Sequence, residues 1–124
     1  MTTALYSETL LDHFRHPRNY GALTAPTISF ESFNPLCGDR IRIEVKLQDS
    51  IVKEARFKGD ACAISTAAAS ILTELIRDAN LADLSAITDE RLISALESDI
   101  KPAREQCALL PLEALRAGLR NYNS

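Results

Sequence analysis

Three cysteines and one aspartate are the residues of this 124-residue chain whose chemistry goes beyond what folding asks for. The stretch NPLCGDRIRIEV, Asn34 to Val45, sets Cys37 in a tight turn with Asp39 two positions on and Gly38 between them. A turn favours Asn, Pro, Gly and Asp for backbone reasons, but it has no use for a thiol. Cys62 stands in GDACAIS and Cys107 in PAREQCALL. An odd number of cysteines, with no signal peptide ahead of them, does not suggest a disulfide framework. In a reducing compartment thiols are core fillers, nucleophiles or metal ligands. Three thiolates and one carboxylate make four ligands, which suits a tetrahedral zinc and equally a [2Fe–2S] cluster with one non-thiolate ligand. There is no CxxC pair, so spacing alone leaves filler and ligand both open.

The elements that must position these groups follow from periodicity. Leu5 to Phe14 sets Tyr6, Leu10 and Phe14 at four-residue spacing with Leu11 alongside, the apolar face of a helix that Pro17 ends. HPRNYGALTAP reads as irregular chain. Thr27 to Phe33 has strand composition, with Ile28 and Phe30 on one side. Arg40 to Leu47 alternates without a fault: Ile41, Ile43, Val45 and Leu47 against Arg42, Glu44 and Lys46 on a solvated face. QDS makes a hairpin, and Ile51 to Phe57 returns as a third strand ending at Gly59. Beyond it Ile64, Ala68, Ile71, Leu72 and Leu75 recur at helical spacing. A short turn at Leu81–Ala86 and a helical segment from about Thr88 to Ser98 follow, then Ala103–Leu110 and Leu112–Leu119. Pro111 either kinks one helix or opens a second at its first position, and Gly118 lies near the final C-cap. This order predicts an α+β fold. A three-stranded antiparallel meander carries an N-terminal helix and a C-terminal set of helices, in a single domain over residues 1–124.

That topology can assemble a site. The start of the second strand and the end of the third lie at the same end of a meander, which brings Cys37 and Cys62 together. The N–H groups opening the alanine-rich helix favour a Cys62 thiolate by their positive field. Cys107 closes the site if its helix packs across that end, and Gly38 lets Cys37 and Asp39 turn toward one point. A carboxylate is a harder ligand than a thiolate, so Asp39 would be the weak point of an iron–sulfur site.

Composition excludes several alternatives. A net charge of −3 and a pI near 5.4 give no basic footprint for nucleic acid or an anionic membrane. No apolar run approaches the roughly 18 residues of a membrane span. MTTALYSETLLDHF carries acids and no basic n-region, so a cytoplasmic protein is expected. A Cys/His hydrolase needs a group orienting the histidine and an oxyanion hole, and the sequence marks neither beside His13 or His16. His13 reads instead as a helix-end residue balancing the dipole. Pro17, Arg18 and Asn19 read as a structural turn. Arg104 is either a partner for Asp39 or a thiolate, or a plain surface arginine. Ser65, Thr66 and Ser70 read as helix-start and packing residues, and Ala67 to Ala69 permit close approach of another element.

Four blocks, LDHFRHPRNYG, NPLCGD, GDACAISTAAAS and PAREQCALLPLEAL, together resemble the IscU/SufU family of iron–sulfur cluster scaffold proteins, which includes the N-terminal domain of NifU. They stand in the family's order and cover nearly the whole chain. The resemblance implies that Cys37, Asp39, Cys62 and Cys107 are the metal- or cluster-binding positions. It implies assembly of a labile [2Fe–2S] cluster, with sulfur received as persulfide from a cysteine desulfurase and the cluster passed to apo iron–sulfur acceptor proteins. Cys107 and Cys37 are then candidate persulfide acceptors. The alternative within the family is a zinc-bound sulfur-transfer protein of the SufU kind, stimulating the desulfurase. Branch features are mixed. Gln106 stands where IscU proteins usually carry a histidine, and SDIKPAR replaces their LPPVK-like stretch. PAREQCALL, with Arg104, resembles SufU, yet the insertion typical of SufU between the second and third cysteines is absent. Ala61 stands where much of the family has glycine, so an ordinary backbone conformation is expected there.

Overall fold

The computed structural model describes residues 6–36 and 38–123. Helix α1 (Glu8–Arg15) leads into strands β1 (Ile28–Asn34), β2 (Asp39–Gln48) and β3 (Ile51–Asp60). Helices α2 (Ala63–Leu75), α3 (Leu81–Ser85), α4 (Asp89–Ala95) and α5 (Glu105–Asn123) complete the chain, the last preceded by a 3₁₀ turn at Pro102–Arg104. The α+β arrangement expected from the sequence is the one observed. The sheet is an antiparallel meander in the order β1-β2-β3. Asn34 pairs with Asp39 where β1 meets β2, and Arg40 pairs with Asp60 where β2 meets β3. The start of β2 and the end of β3 therefore share one end of the sheet.

Local chemistry explains each boundary. Ser7 caps α1, its Oγ accepting from the Leu10 N–H at 3.0 Å while its hydroxyl donates to the Leu96 carbonyl at 2.7 Å. Leu10 is fully buried, but Phe14 is 41% exposed, and Leu5 lies outside the described residues. The helical face read from the sequence is thus shorter than its spacing implied. Asp49 and Ser50 join β2 to β3 with φ of 55° and 63°, the left-handed pair of a two-residue hairpin turn. β3 runs on to Asp60, past the Gly59 expected to end it, because Gly59 lets the strands close: a Cβ there would lie 2.1 Å from the Arg40 carbonyl oxygen.

The alternation of β2 holds for Ile41, Ile43 and Val45, all buried. Glu44 departs from the solvated face expected of it. It is 7% exposed and accepts hydrogen bonds from the Leu23 N–H at 2.7 Å and the Ser29 hydroxyl at 3.4 Å. The irregular segment before β1 folds over that face, a tertiary contact no strand pattern encodes.

Of the two possibilities left open at Pro111, the structure has a single helix, for α5 runs from Glu105 to Asn123 with the proline inside it. Gly118 is accordingly no C-cap but a packing position, where a Cβ would sit 2.6 Å from Ile28 Cγ2 on β1. α5 packs on β1 and α2, and α1 lies against α2. Ala67, Ala68 and Ala69 are all fully buried in those contacts, which is the close approach their size allows. Among the described residues, no helix is long and apolar enough to cross a membrane.

The loop after α1 is pinned to α2. Ser70 Oγ accepts the Arg18 N–H at 2.9 Å and meets His13 Nδ1 at 2.7 Å, while Asn19 Nδ2 donates to Thr73 Oγ1 at 3.1 Å. Arg18 pairs with Asp12, so the HPRN block is a structural turn, as read. His13 is a different matter. Burial, with the Arg18 guanidinium nearby, holds its pKa below the ordinary value against the pull of Glu74 and Asp12. It is a half-buried tie to α2 rather than a cation balancing the dipole. A lowered histidine pKa means the unfolded chain takes up the proton first as pH falls, so stability is complete above the unfolded value, roughly 6.5. Stability should then decline as pH falls below that value, until the folded imidazole is itself protonated. Urea unfolding from pH 8 to 5 checks this, with a shallower decline expected for His13→Asn.

Candidate metal centre

Asp39 opens β2, Cys62 is the N-cap residue of α2, and Cys107 lies in the first turn of α5. One ligand atom from each falls within 4.8 Å of the others. Asp39 and Cys107 are buried, at 6% and 3% exposure, and Cys62 is half-buried. Cys107 thus points inward although no apolar periodicity placed it there. Cys37, the fourth residue singled out from the sequence, lies outside the described residues.

The carboxylate is held at both oxygens. The Cys62 N–H donates to Asp39 Oδ1 at 3.1 Å, and Ser65 Oγ stands 3.0 Å from Oδ2. Asp39 therefore sits at the positive end of α2, whose first turn carries no acidic residue of its own. Ser65 is fully buried; its Oγ is also 2.7 Å from the Cys107 carbonyl oxygen and 3.6 Å from Cys62 Sγ. Reading Ser65 as a helix-start and packing residue missed this role. The signal was in the sequence: Pro111 stands four positions after Cys107 and cannot supply the helical N–H to its carbonyl.

Arg104, exposed on the 3₁₀ turn, donates to the Cys107 side chain. That bond, with the negative field of the Cys107 and Cys62 sulfurs, raises its already high pKa. Of the roles open to Arg104, partner to the Cys107 side chain is the one supported. Ala61 is not among the described residues with positive φ, so it takes the ordinary conformation expected of it. Gln106 is exposed and lines a groove with Phe33, Pro35 and Leu109 beside the Cys107 turn.

Two thiols and a carboxylate converging at the junction of a three-stranded meander and two helices define an α+β protein with the donor set of a zinc or iron–sulfur site. The chain belongs to the NifU-like N-terminal domain family, whose model matches residues 5–124. Among curated proteins it is similar to the zinc-dependent sulfurtransferase SufU of Bacillus subtilis, 36% identical over 93% of this chain and 89% of that one. It is also similar to the iron–sulfur cluster assembly scaffold protein IscU of Escherichia coli K12, 31% identical over 96% and 94%. The fold matches the N-terminal NifU-like protein of Brucella abortus, with a TM-score of 0.80 over 98% of this chain and 96% of that chain at 19% identity. FiSufU of Fervidobacterium islandicum AW-1 matches at TM-score 0.80 over 96% and 99%, at 23% identity.

Proposed function

We propose that this protein is a scaffold on which a labile [2Fe–2S] cluster is assembled from sulfur delivered by a cysteine desulfurase, then passed to apo iron–sulfur proteins. It would act as a single domain over residues 1–124 in the cytoplasm. The observation that carries the reading is the convergence of Asp39, Cys62 and Cys107 within 4.8 Å in a chain of this family. Cys37 is the fourth ligand in this reading. Thiolates hold iron, and the carboxylate supplies the weaker bond that lets a cluster leave. Leu36, 85% exposed, and the half-exposed Phe33 give the neighbouring surface an apolar character that a protein partner would cover.

A second reading has its own support. The same residues would hold zinc, and the protein would take sulfur from the desulfurase on Cys107 or Cys37 and hand it on. Arg104 sets a positive charge beside Cys107, a counter-charge for the thiolate form that attacks a persulfide.

Anaerobic reconstitution with desulfurase, cysteine and iron, followed by visible absorption and by iron, sulfide and zinc analysis, separates the two. Charge-transfer bands with about two iron and two sulfide per chain, transferable to an apo-ferredoxin, are expected. A colourless protein that keeps zinc and accelerates the desulfurase would replace the scaffold reading with sulfur transfer.

A further inference from the structure

Ser65 touches all three ligand residues from a position with no solvent access. Its Oγ lies 2.7 Å from the Cys107 carbonyl oxygen, 3.0 Å from Asp39 Oδ2 and 3.6 Å from Cys62 Sγ. A hydroxyl has one proton and two lone pairs, so it donates to one of the two oxygens at a time. In an uninterrupted helix the Cys107 carbonyl would accept the N–H of residue 111. That residue is proline, inside α5 and without an N–H. Ser65, reaching across from α2, serves the carbonyl that Pro111 cannot.

We propose that Ser65 is a positioning residue for the metal-binding set, and that Pro111 gives it its hold on Cys107. The inference rests on the reading that Asp39, Cys62 and Cys107 bind metal. One hydroxyl stands within hydrogen-bond range of both the β2 carboxylate and the backbone carbonyl of the α5 thiol, bonded to one at a time, and so limits the spacing between two ligands far apart in sequence. Sharing one proton between two acceptors has a second consequence. The hydroxyl can release Asp39 and keep the carbonyl, so the carboxylate changes partner without stranding a buried O–H. A helical N–H at position 111 would compete for that carbonyl and weaken the tie.

Zinc affinity, measured by competition with a chromophoric chelator, and the thermal midpoint of the metal-free chain test this together. Ser65→Ala is expected to weaken zinc binding about tenfold, the effect of losing a group that orients a ligand. Ser65→Thr, which keeps the hydroxyl, should recover most of that loss. Pro111→Ala restores the N–H, so Ser65→Ala should lower the thermal midpoint less in that background than in the wild type. The double variant also keeps the comparison open if Ser65→Ala alone fails to fold, since its zinc affinity is read against Pro111→Ala. Zinc affinity unchanged by Ser65→Ala, or equal thermal losses in the two backgrounds, overturns the proposal while the metal reading stands. Wild-type protein that takes up no metal overturns the metal reading and the positioning role with it.

Discussion

Cys107→Ala is expected to lower zinc affinity by about two orders of magnitude while leaving the protein folded. Structural zinc sites bind with about 10–16 kcal/mol spread over four ligands. Losing one thiolate therefore removes roughly 3 kcal/mol, about a hundredfold in affinity. Alanine replaces the cysteine in the first turn of α5, where its helix propensity is better and the volume lost is small. The Ser65 hydroxyl bonds the Cys107 main-chain carbonyl, which the substitution keeps. Arg104 loses the sulfur it donates to, but it is exposed and water replaces that partner. Chelator competition for zinc, with circular dichroism on the same samples, checks both halves. Affinity close to wild type in a folded variant would remove Cys107 from the ligand set. Loss of helix would mean that the thiol serves packing, the plain reading open to any buried cysteine.

The parts of the molecule legible in the sequence are those fixed by short-range pattern. Arg40 to Leu47 could hardly be anything but a half-buried strand, and its meander with Ile51 to Phe57 followed from the turn read at QDS, of which the structure keeps Asp49 and Ser50. The meander predicts Cys37 beside Cys62; Cys37 lies outside the described residues, and it is Asp39, at the same end of β2, that stands beside Cys62. What the sequence hid depends on contacts between elements distant along the chain. Glu44 looked solvated because alternation says nothing of a loop folding over the outer face. His13 looked like a helix-end cation because its burial against Ser70 comes from the packing of α1 on α2. Gly118 resembled a helix stop because glycine ends helices more often than it packs them, yet here it admits the Ile28 side chain. Pro111 was the most instructive ambiguity. Its missing N–H argues for a break in the chain direction when read locally. With Ser65 occupying the carbonyl it would have served, the helix continues and the proline becomes part of the site.

Asp39→Cys should act in the opposite sense to Cys107→Ala, slowing cluster release instead of weakening binding. The carboxylate is the hard member of the set, and iron–sulfur clusters favour thiolate, so a fourth thiolate strengthens the weakest bond. In the scaffold reading Asp39 is also the ligand with a place to go. The Cys62 N–H and the Ser65 hydroxyl lie within hydrogen-bond distance of its two oxygens, so a released carboxylate meets protein donors rather than an apolar wall. That exchange lowers the cost of breaking its bond to iron, and a cysteine offers no comparable acceptor to those donors. Transfer to an apo-ferredoxin, followed by the change in visible spectrum, should be about tenfold slower from the cysteine variant, equivalent to about 1.4 kcal/mol in the barrier. Asp39→Ala removes the exchange without adding a ligand, and should also retain its cluster longer than wild type. It leaves the Cys62 N–H unpaired, at a cost in stability of about 1–3 kcal/mol, so transfer must be measured well below the unfolding midpoint. Transfer as fast as wild type from both variants would show that release does not begin at Asp39. The departing bond would then have to be one of the thiolates, and the mixed donor set would need another explanation.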